Sequence, residues 1–307
     1  MGLAKLAVTC GCLWYVGRRV DLRALADNFA HISAPLAAAS FLALVLVAVL
    51  GGARWWVVMR ATGHAARFKT LTELYWAGML FNQVMPAAAG DTMRVWLSVR
   101  RGYRLQSAIT SVVLERVFML LVLLVIIVAA QPLLARLAPA YGVTLVPALA
   151  LLGGVCGLAL LAVADRISGR AASHHVLGRL LKWLAVLSLD TRRVMTSRWA
   201  WPMGLLCVGG NLAFVAAGWM LGQAMGLGLP FAAYLAFIPL AIAVTALPIS
   251  VAGWGLREGL LVPLFTQAGI STHLALAFSL MYGALSAVSS LPGLVFWWLH
   301  ADHGVSP

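Results

Sequence analysis

The sequence predicts an all-α, polytopic integral membrane protein with about six spanning helices and two broken, re-entrant elements arranged as an inverted repeat. Three observations lead there. Hydrophobic residues fill 63% of the 307 positions and charged residues only 10%, whereas a soluble domain carries about 25% charged residues. The apolar residues fall into long runs, and a helix needs roughly 20 of them to cross a bilayer. Two runs are interrupted alike: LFNQVMPAAAGDTMR holds Pro86, Gly90, Asp91 and Arg94, and VTALPISVAGWGLREG holds Pro248, Gly253, Gly255, Arg257 and Glu258. Paired Pro/Gly-interrupted segments mark a binding site near the bilayer midplane.

Taken in order, the first expected span, about 3–17, is short. Lys5 precedes it, but Arg18 and Arg19 follow where a signal peptide would carry a small-residue cleavage site, so it reads as a retained helix. The other expected spans are about 35–58, 105–130, 143–164, 201–225 and 273–299, with the broken segments at about 71–89 and 230–268. All belong to one transmembrane domain, 1–307. Its 165–200 connector carries Val176, Leu177, Leu180, Leu181, Leu184 and Leu187 at helical spacing around Arg179 and Lys182. That pattern suits a basic amphipathic helix lying in the membrane interface, and equally a connector helix packed on the bundle.

Positive charge orients the spans. Connectors 59–70, 92–104 and 165–200 are rich in Lys and Arg, while 131–145 carries only Arg136 and 226–230 no charge. Lys/Arg-rich connectors stay cytoplasmic. If 59–70 and 92–104 share a side, the 71–89 segment must return to it. The second broken segment then starts from the opposite side, and both termini are cytoplasmic. The Arg18–Arg23 connector is the misfit, since this scheme places it outside. A formal charge of +13 could suggest nucleic acid, but the basic residues sit in short connectors, as suits an anionic lipid surface. No nucleic-acid partner is expected.

Charge within a span costs about 2.5–3.5 kcal/mol on insertion scales and usually serves a site. The candidates are Asp91 and Arg94 after the first break, Arg257 and Glu258 after the second, and Glu115 with Arg116 inside the 105–130 helix. Asn82, Gln83, Gly90, Gly253, Trp254 and Tyr282 add polar groups or permit close backbone approach. Arginine offers a planar fork that matches phosphate. These residues therefore predict a wet cavity binding an anionic head group, with Arg94 and Arg257 converging on it. The competing expectation is that the charges only pair with one another across the bundle.

Other chemistry finds little support. Cys10, Cys12, Cys156 and Cys207 lie in apolar runs without CxxC or zinc-ligand spacing. His31, His64, His174, His175, His273, His300 and His303 form no HExxH motif. No metal, cofactor or catalytic residue is expected.

The run RFKTLTELYWAGMLFNQVMPAAAGDTMRVWLSVRRGYRLQSAITSVVLERV resembles the first block of the lysylphosphatidylglycerol synthase transmembrane-region family, also described as flippase-like domain proteins. FIPLAIAVTALPISVAGWGLREG is similar to its second block. The likeness runs from about Gly51 to Trp298. It maps Gly90, Asp91 and Arg94 onto a G-D-x-x-R motif, Glu115 and Arg116 onto an acidic–Arg pair, and Gly253 to Gly259 onto GWGxREG. Glu115 stands where Asp is the family's residue, and Ala88–Ala89 stand where glycines are common.

The resemblance implies an inner (plasma) membrane protein that moves or modifies anionic or isoprenoid lipids. Bifunctional members add a C-terminal synthase domain. This sequence ends at Pro307 soon after its last apolar run, so the synthase activity is not expected of it. The leading expectation is a lipid flippase-like transporter. The alternatives are a membrane enzyme, or a non-catalytic partner of a separate soluble transferase, in lipid-linked aminoacyl or sugar transfer. Homo-oligomers are compatible with either.

Overall fold

The computed structural model describes residues 32–85, 88–141, 144–168, 175–246 and 253–301. The expected 3–17 span, the Arg18–Arg23 connector, and Pro86 and Pro248 of the two motifs lie outside the described residues. Those described form helices without strands: α1 (Ala34–Ala61), α2 (Phe68–Val84), α3 (Ala89–Arg100), α4 (Leu105–Leu137), α5 (Leu145–Ser168), α6 (His175–Thr196), α7 (Ala200–Ala224), α8 (Phe231–Thr245), α9 (Leu256–Gln267), α10 (Thr272–Ser290) and α11 (Pro292–Ala301). The chain is a polytopic membrane protein.

Among the described residues, four stretches are long and apolar enough to cross a membrane: α1, α4, α7 and the combined Thr272–His300 stretch of α10 and α11. The expected 273–299 span is divided after Ser290, because Pro292 has no N–H to continue the ladder. The 143–164 expectation corresponds to α5. Helix α6 forms within the basic connector, and its C-terminal half packs on the bundle, with Val194 buried against Val57, Val58 and Leu114.

Contacts sort the connectors onto two faces. His64, after α1, bonds to Ser107 at the start of α4, and Arg60 lines one pocket with Arg198 before α7. His300 of α11 reaches Glu73 of α2 and Arg101 after α3. These Lys/Arg-rich ends share one face, the basic face. On the other, Ser33 N–H donates to Ala224 O (3.0 Å), and Ala140 N–H to Gln267 Oε1 (3.2 Å). The described connectors there, 138–141, 225–230 and 268–271, hold no charged residue.

Both broken elements therefore re-enter. Helix α2 leaves the basic face and α3 returns to it; α8 leaves the opposite face and α9 returns there. Seventeen residues of α2 reach about 25 Å at ~1.5 Å per residue, less than the roughly 30 Å of a bilayer core. Helix α2 stops at Met85, whose extended backbone (φ −123°, ψ 164°) is what a following proline requires.

The two halves share one plan: span, long arm, short arm, span. Exchanging α1–α4 for α7–α10 preserves the packing. Helix α1 packs on α2 as α7 on α8, α2 on α3 as α8 on α9, and α3 on α4 as α9 on α10. Helix α4 lies on α8 as α10 and α11 lie on α2. Helices α1 and α7 form the largest pairing and run antiparallel: Ser33 meets Ala224, Ser40 Oγ donates to Ala217 O (2.7 Å), and Val57 packs with Met203. The repeat is inverted, as the charge pattern predicts.

Candidate functional site

The first hairpin ends in a buried ion network. Asp91, in the first turn of α3, suits the positive end of the helix dipole. Arg116 of α4 clasps it at 2.9–3.1 Å through Nε and Nη2. One turn on, Arg94 Nη1 bonds Asp91 Oδ1 (3.3 Å) and Glu115 Oε2 (3.1 Å). The other oxygen of Glu115 accepts from Arg54 Nε of α1 (3.0 Å), and Arg54 Nη2 donates to Tyr75 OH (3.2 Å). Trp55 and Tyr75 cover the Arg94 guanidinium at 4.3 and 4.6 Å. Its Nε and Nη2 have no hydrogen-bond partner, so the two ring faces supply what stabilisation they receive. Three arginines against two carboxylates leave one formal positive charge.

Backbone fit sets this arrangement. Gly90 N–H donates to Asn82 Oδ1 (3.0 Å), tying α3 back to α2. A Cβ on Gly90 would fall inside contact distance of the Gly78 carbonyl, so only glycine lets the arms close. Ala88 takes the left-handed backbone (φ 81°), the one non-glycine described residue to do so.

The second hairpin is built with fewer charges. Glu258, in the first turn of α9, accepts from Gly255 N–H (2.6 Å), which is the Glu half of a capping box. Its other oxygen takes Arg257 Nε (3.1 Å) and Nη2 (2.7 Å) and Ser279 Oγ (3.1 Å). Trp254 covers the Arg257 guanidinium at 4.8 Å. Gly253 and Gly255 both take positive φ (75° and 84°) to turn the chain into α9. Arg257 Nη1 has no partner among the described residues and is not sealed from solvent.

Arg257 lines a cavity of about 170 Å³ between the two halves. Met79 and Gln83 come from the first hairpin, Ile238, Ile242 and Thr245 from the second, and Tyr282, Ser286 and Ser289 from α10. Tyr282 donates to Phe214 O (3.0 Å), fixing its ring on the wall.

Arg94 is not among that cavity's lining residues, so among the described residues the expected convergence of Arg94 with Arg257 is not seen there. Helix α2 stands between them. Its Gly78 touches Arg94, while Met79 and Gln83 face the cavity, about 100–140° around the helix from Gly78. The structure thus divides the sequence-derived candidates. Gln83, Arg257 and Tyr282 line the cavity, Glu258 and Trp254 hold Arg257, and Gly253 turns the loop. Asn82, Gly90, Asp91, Arg94, Glu115 and Arg116 assemble behind α2.

Sequence reasoning missed Arg54, Tyr75, Ser279 and the Ser286–Ser289 wall. Arg54 was detectable as the only charge in the apolar 35–58 run.

No curated protein matches the chain as a relative. Residues 2–293 match the family described as Lysylphosphatidylglycerol synthase TM region, nearly the whole sequence, and the protein belongs to that family.

Proposed function

We propose that this member of the lysylphosphatidylglycerol synthase transmembrane-region family carries anionic lipid across the membrane, holding the head group in the cavity between its hairpins. The observation carrying this reading is that cavity itself: both repeats line it, and an arginine with an N–H group unpartnered among the described residues stands on its wall. Arg257 Nη1 would donate to a phosphate oxygen. Gln83, Ser286 and Ser289 supply neutral polar atoms, and the apolar wall suits the lipid's glycerol or prenyl neighbourhood. Glu258 orients Arg257 and balances its formal charge, while Nη1, without a partner among the described residues, is left to donate. The Arg94 network acts at a distance, its surplus positive charge favouring an anion in low dielectric. Exposure would alternate by rocking one repeat against the other. The basic face would be cytoplasmic, in the cell's inner membrane.

Arg257→Gln in proteoliposomes tests this. Transbilayer movement of labelled phosphatidylglycerol should fall at least about tenfold, the worth of one charge-assisted hydrogen bond. An unchanged rate in folded protein would exclude the reading.

A further inference from the structure

Away from the central cavity, the basic face carries a second site with both polar and apolar parts. A pocket of about 280 Å³ is lined by Arg60, His64, Arg198 and Trp199 at the ends of α1 and α7. Arg60 lies over Trp56 at 5.6 Å and Arg198 over Trp199 at 5.3 Å. The two tryptophans pack edge to face with centroids 5.3 Å apart, and Trp56 Nε1 is anchored on Ala66 O (3.1 Å). Neither arginine forms an ion pair among the described residues. The nearby carboxylate, Asp190, turns to Arg193 and Thr110 instead. Two guanidinium groups are thus presented on a braced aromatic platform without an acidic partner among the described residues.

The same corner continues into an apolar groove of about 210 Å³. It is lined by Phe118, Val122, Val194, Met195, Met203 and Cys207 among others. Trp199, which lines the pocket, packs against the cluster that holds Val194, Met203 and Cys207 of the groove, and Ala200, next in sequence, lines the groove. A soluble phosphate needs the first part and has no use for the second. A phospholipid needs both.

We propose that the α6–α7 corner binds one phospholipid with an anionic head group, its phosphate between Arg60 and Arg198 and an acyl chain in the Met203 groove. The site is independent of the central cavity. Guanidinium forks over tryptophan at an interface are suited to phosphodiester, and Trp belongs at head-group depth.

The test is native mass spectrometry of delipidated full-length protein titrated with phosphatidylglycerol or phosphatidylcholine, with inorganic phosphate as competitor. Arg60→Gln/Arg198→Gln removes the charges. Gly204→Trp fills the groove at a position with open space around it. The charge variant should weaken one phosphatidylglycerol site roughly thirtyfold, at about fivefold per cation. Gly204→Trp should weaken binding of both lipids there. Unchanged phosphatidylglycerol binding in either variant overturns the proposal. So does displacement by millimolar inorganic phosphate with no effect of Gly204→Trp, which would mark a soluble-phosphate site. Arg257→Gln should leave this site intact, so a failure of the transport reading and a failure here are separately visible.

Discussion

Glu115→Gln isolates what the buried network is worth. Glu115 is fully buried and bridges Arg54 at 3.0 Å and Arg94 at 3.1 Å. The substitution keeps shape and removes charge, so two buried guanidinium groups lose their shared anion. Arg94 retains Asp91 at 3.3 Å, while Arg54 retains only the Tyr75 hydroxyl. Removing one partner of a buried pair costs about 3–5 kcal/mol, since the charge left behind is uncompensated. We expect that loss in reversible denaturation of the purified protein in bicelles. Arg54→Met on the Glu115→Gln background returns the network to one surplus positive charge, as in the native protein. The double variant should cost roughly 0.5–3 kcal/mol less than the summed singles, the usual coupling between direct neighbours. A loss under about 1 kcal/mol for Glu115→Gln, or a double variant as costly as the summed singles, would refute the account of a mutually dependent network.

Gly283→Ala should place its methyl against the Arg257 guanidinium; the flexible end yields, so bound anionic lipid falls about tenfold while the melting temperature holds. Gly90→Ala meets the Gly78 backbone carbonyl instead and should cost about 1–3 kcal/mol, read in the same denaturation assay. Ala88→Gly relieves the left-handed strain at φ 81° and should stabilise the fold by about 0.5–1 kcal/mol after glycine's own entropic cost. Burial on α6 raises the Asp190 carboxyl above its ordinary value, against the smaller opposing effect of Arg193. That group's contribution is complete below about pH 4 and is lost as pH rises through the raised value. Asp190→Asn should flatten stability across that window.

Hydropathy and Lys/Arg placement made the spans, both breaks and their opposite faces legible, because insertion energetics act on sums over whole segments. Side-chain azimuth is a different kind of information. Gly78 and Met79 are adjacent in sequence yet serve different sides of α2, and nothing in the motif spacing says which side Arg94 meets. Arg54 is hard to read from hydropathy for a related reason: one charge in an apolar run barely alters its mean. Pro292 divides the last stretch, but apolarity continues through it, so a window sees one helix. The motifs' polar residues fall into two groups, since α2 separates what the linear pattern brings together.

Helix α5 shows what the inversion requires. Its outward residues Leu145, Val146, Leu149 and Leu152 are 60–74% exposed, and it packs chiefly on α4 and α6. It adds little to the shared interior. Its importance is parity. Each half contributes two crossings, an even number, so a second half fused directly to the first would insert the same way up. Helix α5 makes the count odd, and α6, with Arg179, Lys182, Arg192 and Arg193, is too charged to restore it. Excising α5 would leave every side chain of the second hairpin in place and turn that hairpin upside down.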